Sequence, residues 1–220
     1  MGAIRRALYL CVLLLGGSGV GHAQGADVGL ISQVAGDVSY ASASGAGKVQ
    51  AYMKIRSGDR FTLADGAQLK VVYFKNGRQE TWRGPAGFRS GPENSEPLAG
   101  AVYEVANLPI GVPQKIQRIP ELLQMAKLGG IQVRGTTPKQ RASLEQQAEV
   151  AVARSTYAQL RQQVPRDDIT PELYLYTVLQ EYLLYDEMKT VVDEMLRKQP
   201  DNQEAQQLAE WTRARIQSSR

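Results

Sequence analysis

The chain contains a single cysteine, Cys11, and a single histidine, His22, and both lie within the first 23 of its 220 residues. If that segment is removed, the rest of the chain has no thiol, disulfide or imidazole. This excludes cysteine nucleophiles, serine–histidine–aspartate triads, zinc clusters and histidine proton shuttles. Any acid–base chemistry would depend on carboxylates, lysines and tyrosines. The fold must be held together by packing alone, without covalent cross-links.

Long hydrophobic runs are also missing. Residues 1–6 carry two arginines and no acid, residues 7–15 are apolar, and residues 16–23 are small and flexible. The nine apolar residues are too few to span a bilayer, which needs about 20. This arrangement is typical of a secretory signal, so we predict cleavage after Ala23 and a periplasmic protein. A retained membrane anchor is the alternative.

A strong excess of charge of one sign is absent as well. Without Arg5 and Arg6, the chain carries 24 basic and 22 acidic residues, a net charge of +2. Nucleic-acid-binding domains are usually strongly basic, so nucleic acid is not an expected partner. The charges are unevenly divided, because residues 101–170 are mainly basic and residues 171–220 mainly acidic.

Residues 24–100 have the composition of a small all-β domain. Turn dipeptides such as Asp65-Gly66, Asn76-Gly77 and Gly84-Pro85 separate short apolar segments. This spacing predicts short strands in a sandwich or a solenoid. The run over residues 69–74 is apolar on both faces and predicts a central strand. We expect Asn76-Gly77 to follow it as a type I′ turn, which requires positive φ at both residues.

Residues 137–220 are predicted to form an α-helical hairpin domain, so the fold class is α+β in sequence order. The first helix is expected to begin at Thr137-Pro138 and to end at Val164-Pro165. The last is expected to begin with a capping box formed by Asp201 and Glu204. Two further helices are predicted over residues 173–184 and 187–198.

Residues 101–136 are predicted to be a connector between the two domains. Three prolines interrupt this segment, and a short helix over residues 119–128 is its clearest element. An isolated strand is predicted at residues 131–133.

The segment from Gly29 to Phe88 resembles the FecR-type domain of bacterial envelope proteins. It contains a Val-x-Gly-x-Val opening at residues 34–38, a Gly58-Asp59 pair, and an apolar strand leading into Asn76-Gly77. The resemblance implies a β domain located in the cell envelope. FecR proteins relay the occupancy of an outer-membrane receptor to a sigma factor. This chain is expected to lack their cytoplasmic N-terminal domain and spanning helix, and so to serve such a route only as a periplasmic component.

Residues 182–205 resemble the second helix of a tetratricopeptide repeat and its exit. Tyr185-Asp186-Glu187 matches the start of that helix, and Pro200 matches the terminal proline of the repeat. The resemblance implies a helical hairpin that contacts a protein partner.

Two groups of side chains are predicted to bind partners. Five of the ten tyrosines lie within residues 157–185, and tyrosine suits interfaces because it has a large apolar ring with a polar end. They would line a groove for an envelope protein, unless they are core residues. Basic side chains on the strands would face anionic cell-wall or lipid groups, unless they only protect a solvated strand edge. The predicted partner-binding residues are Tyr174, Tyr182, Tyr185, Lys75, Arg78 and Arg83.

These observations favour a non-enzymatic periplasmic binding or scaffold protein of the bacterial cell envelope. A periplasmic component of a FecR-like signalling route is the alternative. A third hypothesis is a carboxylate-based envelope enzyme using Asp37, Asp59 or Asp65, but aspartate is common in turns for structural reasons. No catalytic residue, cofactor or metal is predicted.

Overall fold

The computed structural model of the protein describes residues 25–98, 101–128 and 143–218. The predicted secretory signal, the predicted strand at residues 131–133 and the predicted helix start at Thr137-Pro138 lie outside these residues. Within them, antiparallel strands come first in the chain and the longer helices follow, which confirms the predicted α+β class.

The strands form two five-stranded antiparallel sheets, numbered here in chain order. Sheet A contains, in spatial order, β10 (Tyr103–Asn107), β7 (Arg78–Arg83), β6 (Gln68–Tyr73), β1 (Asp27–Ala35) and β4 (Lys54–Arg56). Sheet B contains β3 (Gly45–Lys48), β2 (Val38–Ser42), β5 (Arg60–Leu63), β8 (Ala86–Ser90) and β9 (Ser95–Leu98).

An apolar core lies between the two sheets, so the β domain is a sandwich rather than a solenoid. Leu69 of sheet A and Phe61 of sheet B are fully buried in this core. Trp82 of β7 is also fully buried, and its ring stacks on Phe88 and Tyr103 with centroids 4.4 and 4.1 Å away. The large aromatic rings therefore fill the space between the sheets.

The predicted central strand is confirmed, but the turn after it differs from the prediction. β6 lies in the middle of sheet A, and every residue after Gln68 is buried. Gly77 has a positive φ of 69°, as expected, whereas Asn76 does not. The side chain of Asn76 accepts a hydrogen bond from the N–H of Arg78 over 3.0 Å. The type I′ prediction is therefore wrong, because the asparagine closes an Asx turn within a longer loop.

Six helices are present in the described residues. They are α1 (Val112–Ile116), α2 (Ile119–Lys127), α3 (Leu144–Gln163), α4 (Thr170–Glu181), α5 (Tyr185–Lys198) and α6 (Gln203–Ser218). None of these helices combines the length and hydropathy needed to cross a bilayer.

Side-chain caps mark the starts of two helices, and the cap of α6 differs from the predicted one. α3 begins at Leu144, where Ser143 and Gln146 form a capping box. The cap of α6 is Asn202, whose side-chain oxygen accepts the N–H of Ala205 over 2.9 Å. Asp201, the predicted cap, lies one residue too early.

The helices cover the outer face of sheet A and share a second apolar core with it. Leu30 of β1 and Val72 of β6 lie in that core together with Val112 of α1. At its centre is α4, in which residues 170–179 are all buried. The molecule therefore has three layers in the order sheet B, sheet A, helices. The predicted connector supplies β10 to sheet A as well as α1 and α2 to the helical layer.

Candidate functional site

Two of the predicted cationic residues are matched by acids on the protein surface. Lys75 forms an ion pair with Glu93, and Arg83 lies 3.2 Å from Glu104. All four side chains are well exposed. Exposed ion pairs of this kind contribute little energy. The pairing fits the alternative interpretation, in which charged side chains protect a solvated strand edge, better than it fits a free basic face.

Arg78, the third predicted cationic residue, neutralises a buried carboxylate. It donates to Glu80 over 2.6 Å, and this bond raises the pKa of Arg78. Glu80 is fully buried and also accepts the indole N–H of Trp82 and the backbone N–H of Ser95, each over 3.2 Å. A buried carboxylate needs donors of this kind because it has lost its hydrogen bonds to water. The position of Arg78 is therefore explained by the fold.

The predicted tyrosines do not form a common groove. Tyr174 is only 6% exposed, because α4 is enclosed on all sides, so its prediction as a partner-contacting residue is wrong for this structure. Tyr182 is partly exposed and bonds to Glu149, which raises the pKa of Tyr182 to about 12. Tyr185 packs edge-on against Trp211, with ring centroids 6.1 Å apart.

The outer face of sheet B is open in the described part of the chain and contains a shallow depression of about 610 Å³. Most of the side chains on its floor are small, so the backbone of sheet B lies close to the surface. Lys48 and Arg60 supply positive charge, and Leu98 at one side is 49% exposed. The other lining residues are Ser39, Tyr40, Ala41, Ala46, Gly47 and Thr62.

The strand register concentrates positive charge on this face. Arg60 of β5 lies directly opposite Arg89 of β8, and like charges in that position repel each other. Arg89 is balanced by Glu96 at 2.5 Å. Lys48 is balanced by Asp37. Arg60 is exposed and forms no ion pair with any described residue. It is therefore a guanidinium available to an external anion, and it was not among the predicted site residues.

Each of the three aspartates considered as catalytic residues either has a nearby structural partner or lies in an exposed turn. Asp59 accepts the backbone N–H of Arg56 over 2.8 Å, and burial raises the pKa of Asp59. Asp37 pairs with Lys48, and Asp65 is an exposed turn residue. None of the three lines the depression on sheet B.

A buried ion pair joins sheet A to the helical layer. Lys70 of β6 lies 2.5 Å from Asp168, and their side chains are only 7% and 3% exposed. Asp168 also accepts the N–H of Thr170 over 2.8 Å at the start of α4. Burial by itself would raise the pKa of Asp168, but the charge and hydrogen bond of Lys70, together with the hydrogen bonds from Thr170, outweigh burial and hold that pKa below its usual value.

A second buried carboxylate, Glu172 of α4, holds three helices together. It lies 3.2 Å from Arg161 of α3 and 3.0 Å from Lys198 of α5, and it accepts the hydroxyl of Tyr157 over 3.0 Å. Burial, together with the charge of Glu172, raises the pKa of Tyr157 to about 12. All of these donors come from helices that surround α4, so the cluster fits a role in packing. In the described part of the chain, no group of three or more His, Cys, Asp or Glu side chains could hold a metal ion.

Comparison with known protein families, curated proteins and solved structures found no match to this chain. The resemblances to a FecR-type domain and to a tetratricopeptide hairpin therefore stay predictions.

Proposed function

We propose that this chain is a non-enzymatic binding protein of the bacterial cell envelope and that the outer face of sheet B holds a carboxylate-bearing cell-wall polymer. The observation that carries the proposal is Arg60, an exposed guanidinium without an ion pair among the described residues and opposite a second arginine. A carboxylate placed there would relieve the repulsion between Arg60 and Arg89 and could accept two parallel hydrogen bonds.

The shape of the face supports an extended ligand. Ala41 and Ala46 face each other across β2 and β3, and Ser39 lies between Lys48 and Thr62. Because the alanine, serine and threonine side chains are short, a polymer chain can approach the sheet closely. The hydroxyl groups of Ser39 and Thr62 can donate and accept hydrogen bonds. A shallow, open surface suits a weak and repeated contact along a polymer.

The chemistry of the face favours cell wall over lipid. Membrane-surface binding normally combines positive charge with several apolar side chains that enter the bilayer. The depression has one large exposed aliphatic side chain, Leu98. Location in the envelope is supported by the predicted secretory signal over residues 1–23 and by the resemblance to FecR-type domains.

The helical layer is the part proposed to contact a protein partner. Leu183 in the turn between α4 and α5 is exposed and has a left-handed φ of 56°, next to the partly exposed Tyr182. A non-glycine residue in this conformation is strained, and strain of this kind is often found at binding sites. Leu183→Asp should then lose a protein partner in cross-linking experiments on intact envelopes, whereas Arg60→Gln should keep it.

Co-sedimentation with purified peptidoglycan sacculi tests the proposed wall binding. Arg60→Gln should lower the affinity by about fivefold, which corresponds to the ~1 kcal/mol expected for one exposed charge-assisted contact. Binding of the unchanged protein should weaken as salt is raised, because the contact is exposed.

Arg83→Gln is the matched control, since it removes the same charge from sheet A, where Arg83 is already paired with Glu104. It should leave binding unchanged. An equal loss in both variants would show that only net charge matters and would contradict a site at Arg60. No sedimentation of the unchanged protein would overturn the proposed function.

A further inference from the structure

The outer edge of β10 is unpaired within the described residues. β10 stands at the end of sheet A, where β7 pairs with one side and no described strand pairs with the other. Four of its five residues are exposed, and Val105 is 46% exposed. β10 contains no proline, lysine or β-bulge, which are features that protect many natural sheet edges. This edge can therefore accept a further strand.

The hydrogen bonds to β7 determine which backbone groups of β10 face outward. The N–H of Leu108, directly after β10, donates to the carbonyl of Gly77 over 2.9 Å. Because bonded and non-bonded pairs alternate in antiparallel strands, the next bonded residue along β10 is Ala106. The N–H and C=O groups that point away from sheet A belong to Tyr103, Val105 and Asn107.

A second copy of β10 fits this edge in one antiparallel register. When the two strands are centred on Val105, all five residues of each strand are paired and the outward backbone groups meet. Glu104 then lies opposite Ala106 of the second copy, so no like charges face each other. Centring the strands on Glu104 would instead place two carboxylates opposite each other, which is unfavourable.

We propose that the protein forms a two-fold symmetric dimer in which two β10 strands pair and join both copies of sheet A into one continuous sheet. The pairing brings the two exposed Val105 side chains together across the symmetry axis. It also places Val102, which is 81% exposed, opposite Leu108 of the second copy. The contact is isologous and closes on itself, as expected for a dimer. It does not depend on the proposed wall binding.

Light scattering after size-exclusion chromatography of the purified protein tests the dimer. Val105→Lys and Val105→Glu should each raise the dimer dissociation constant more than tenfold, since each places two like charges opposite each other. Mixing the two variants should restore a dimer, because residue 105 faces residue 105. Val152→Lys is the matched control, as Val152 is an exposed valine on α3, 65% accessible, and this change should leave the dimer intact.

Cross-linking provides a second measurement that does not depend on a charged variant. Cα atoms in a bonded antiparallel pair are about 5.5 Å apart, which is within the range for a disulfide. Val105→Cys, in protein lacking Cys11, should form a disulfide-linked dimer, and Val152→Cys should not. A monomer at 100-fold the concentration used for purification would overturn the proposal. So would a dimer that survives Val105→Lys, or a lysine–glutamate mixture that stays monomeric.

Discussion

Replacing Lys70 by methionine should strongly destabilise the protein, because it leaves the Asp168 carboxylate buried without its cation. The two charged atoms are 2.5 Å apart, and both side chains are more than nine-tenths buried. Breaking such a pair from one side typically costs 3–5 kcal/mol. Asp168 keeps its bond from the N–H of Thr170, so the expected loss is near the lower limit, about 3 kcal/mol. For a domain of this size, that lowers Tm by about 6–12 °C.

Urea unfolding followed by circular dichroism would measure this loss. The double variant Lys70→Met with Asp168→Asn should recover about 2 kcal/mol relative to Lys70→Met alone, since no uncompensated charge stays buried. Asparagine still provides an oxygen for the N–H of Thr170. The exposed pair between Lys75 and Glu93 offers a control, and Lys75→Met should cost less than about 1 kcal/mol.

The dependence on pH follows from the pKa of Asp168. In the unchanged protein that pKa is lowered, so the pair stabilises the fold above the pKa of the unfolded chain, and the stabilisation is lost as pH falls through the folded value. Without Lys70, burial dominates and raises the pKa of Asp168. The variant then takes up a proton at a higher pH than the unchanged protein does, so its deficit should shrink as pH falls. A deficit that is small, or constant with pH, would refute a buried charge pair.

Two further substitutions and one mass measurement have defined outcomes. Gly77→Val should destabilise the protein by more than about 1 kcal/mol in urea unfolding. The reason is that Gly77 has a φ of 69° and that a Cβ there would lie 3.1 Å from the carbonyl oxygen of Leu108. An unchanged unfolding midpoint would contradict the observed loop. Leu183→Gly should stabilise the protein by about 0.5 kcal/mol, since glycine adopts the left-handed conformation of residue 183 without strain. A loss of stability would mean that the leucine packs more strongly than its exposure indicates. The intact mass of protein from a periplasmic extract should correspond to residues 24–220, and a chain that retains Met1 would contradict the predicted cleavage.

The parts of the fold that follow local rules were predictable from the sequence. The apolar run over residues 69–74 became the central strand β6, and the short helix predicted over residues 119–128 is α2. β10 was missed because its residues, Tyr-Glu-Val-Ala-Asn, are mostly polar or small and lie between prolines. It is a strand because β7 offers it a free edge, which no local pattern reveals.

Burial of polar side chains was the least predictable feature, because it depends on partners far away in the chain. Lys70 interrupts an apolar strand and is buried there only because Asp168, 98 residues later, reaches it. Tyr176 is buried because its hydroxyl bonds to Thr212 over 2.9 Å. A tyrosine-rich helix thus resembles an exposed binding surface in the sequence, although the structure encloses it.

Buried polar and charged side chains need partners, and this requirement explains why the helices cover sheet A and not sheet B. The outer face of sheet A carries apolar residues such as Val72, and Lys70 on the same face forms an ion pair with Asp168. The outer face of sheet B carries Arg60 beside Arg89, and a helix placed over it would bury an unpaired guanidinium at a cost of several kcal/mol. A partner that covers that face has to bring its own negative charge, as Asp168 does for Lys70 on sheet A. This is the physical reason for proposing an acidic polymer, rather than another apolar surface, as the occupant of sheet B.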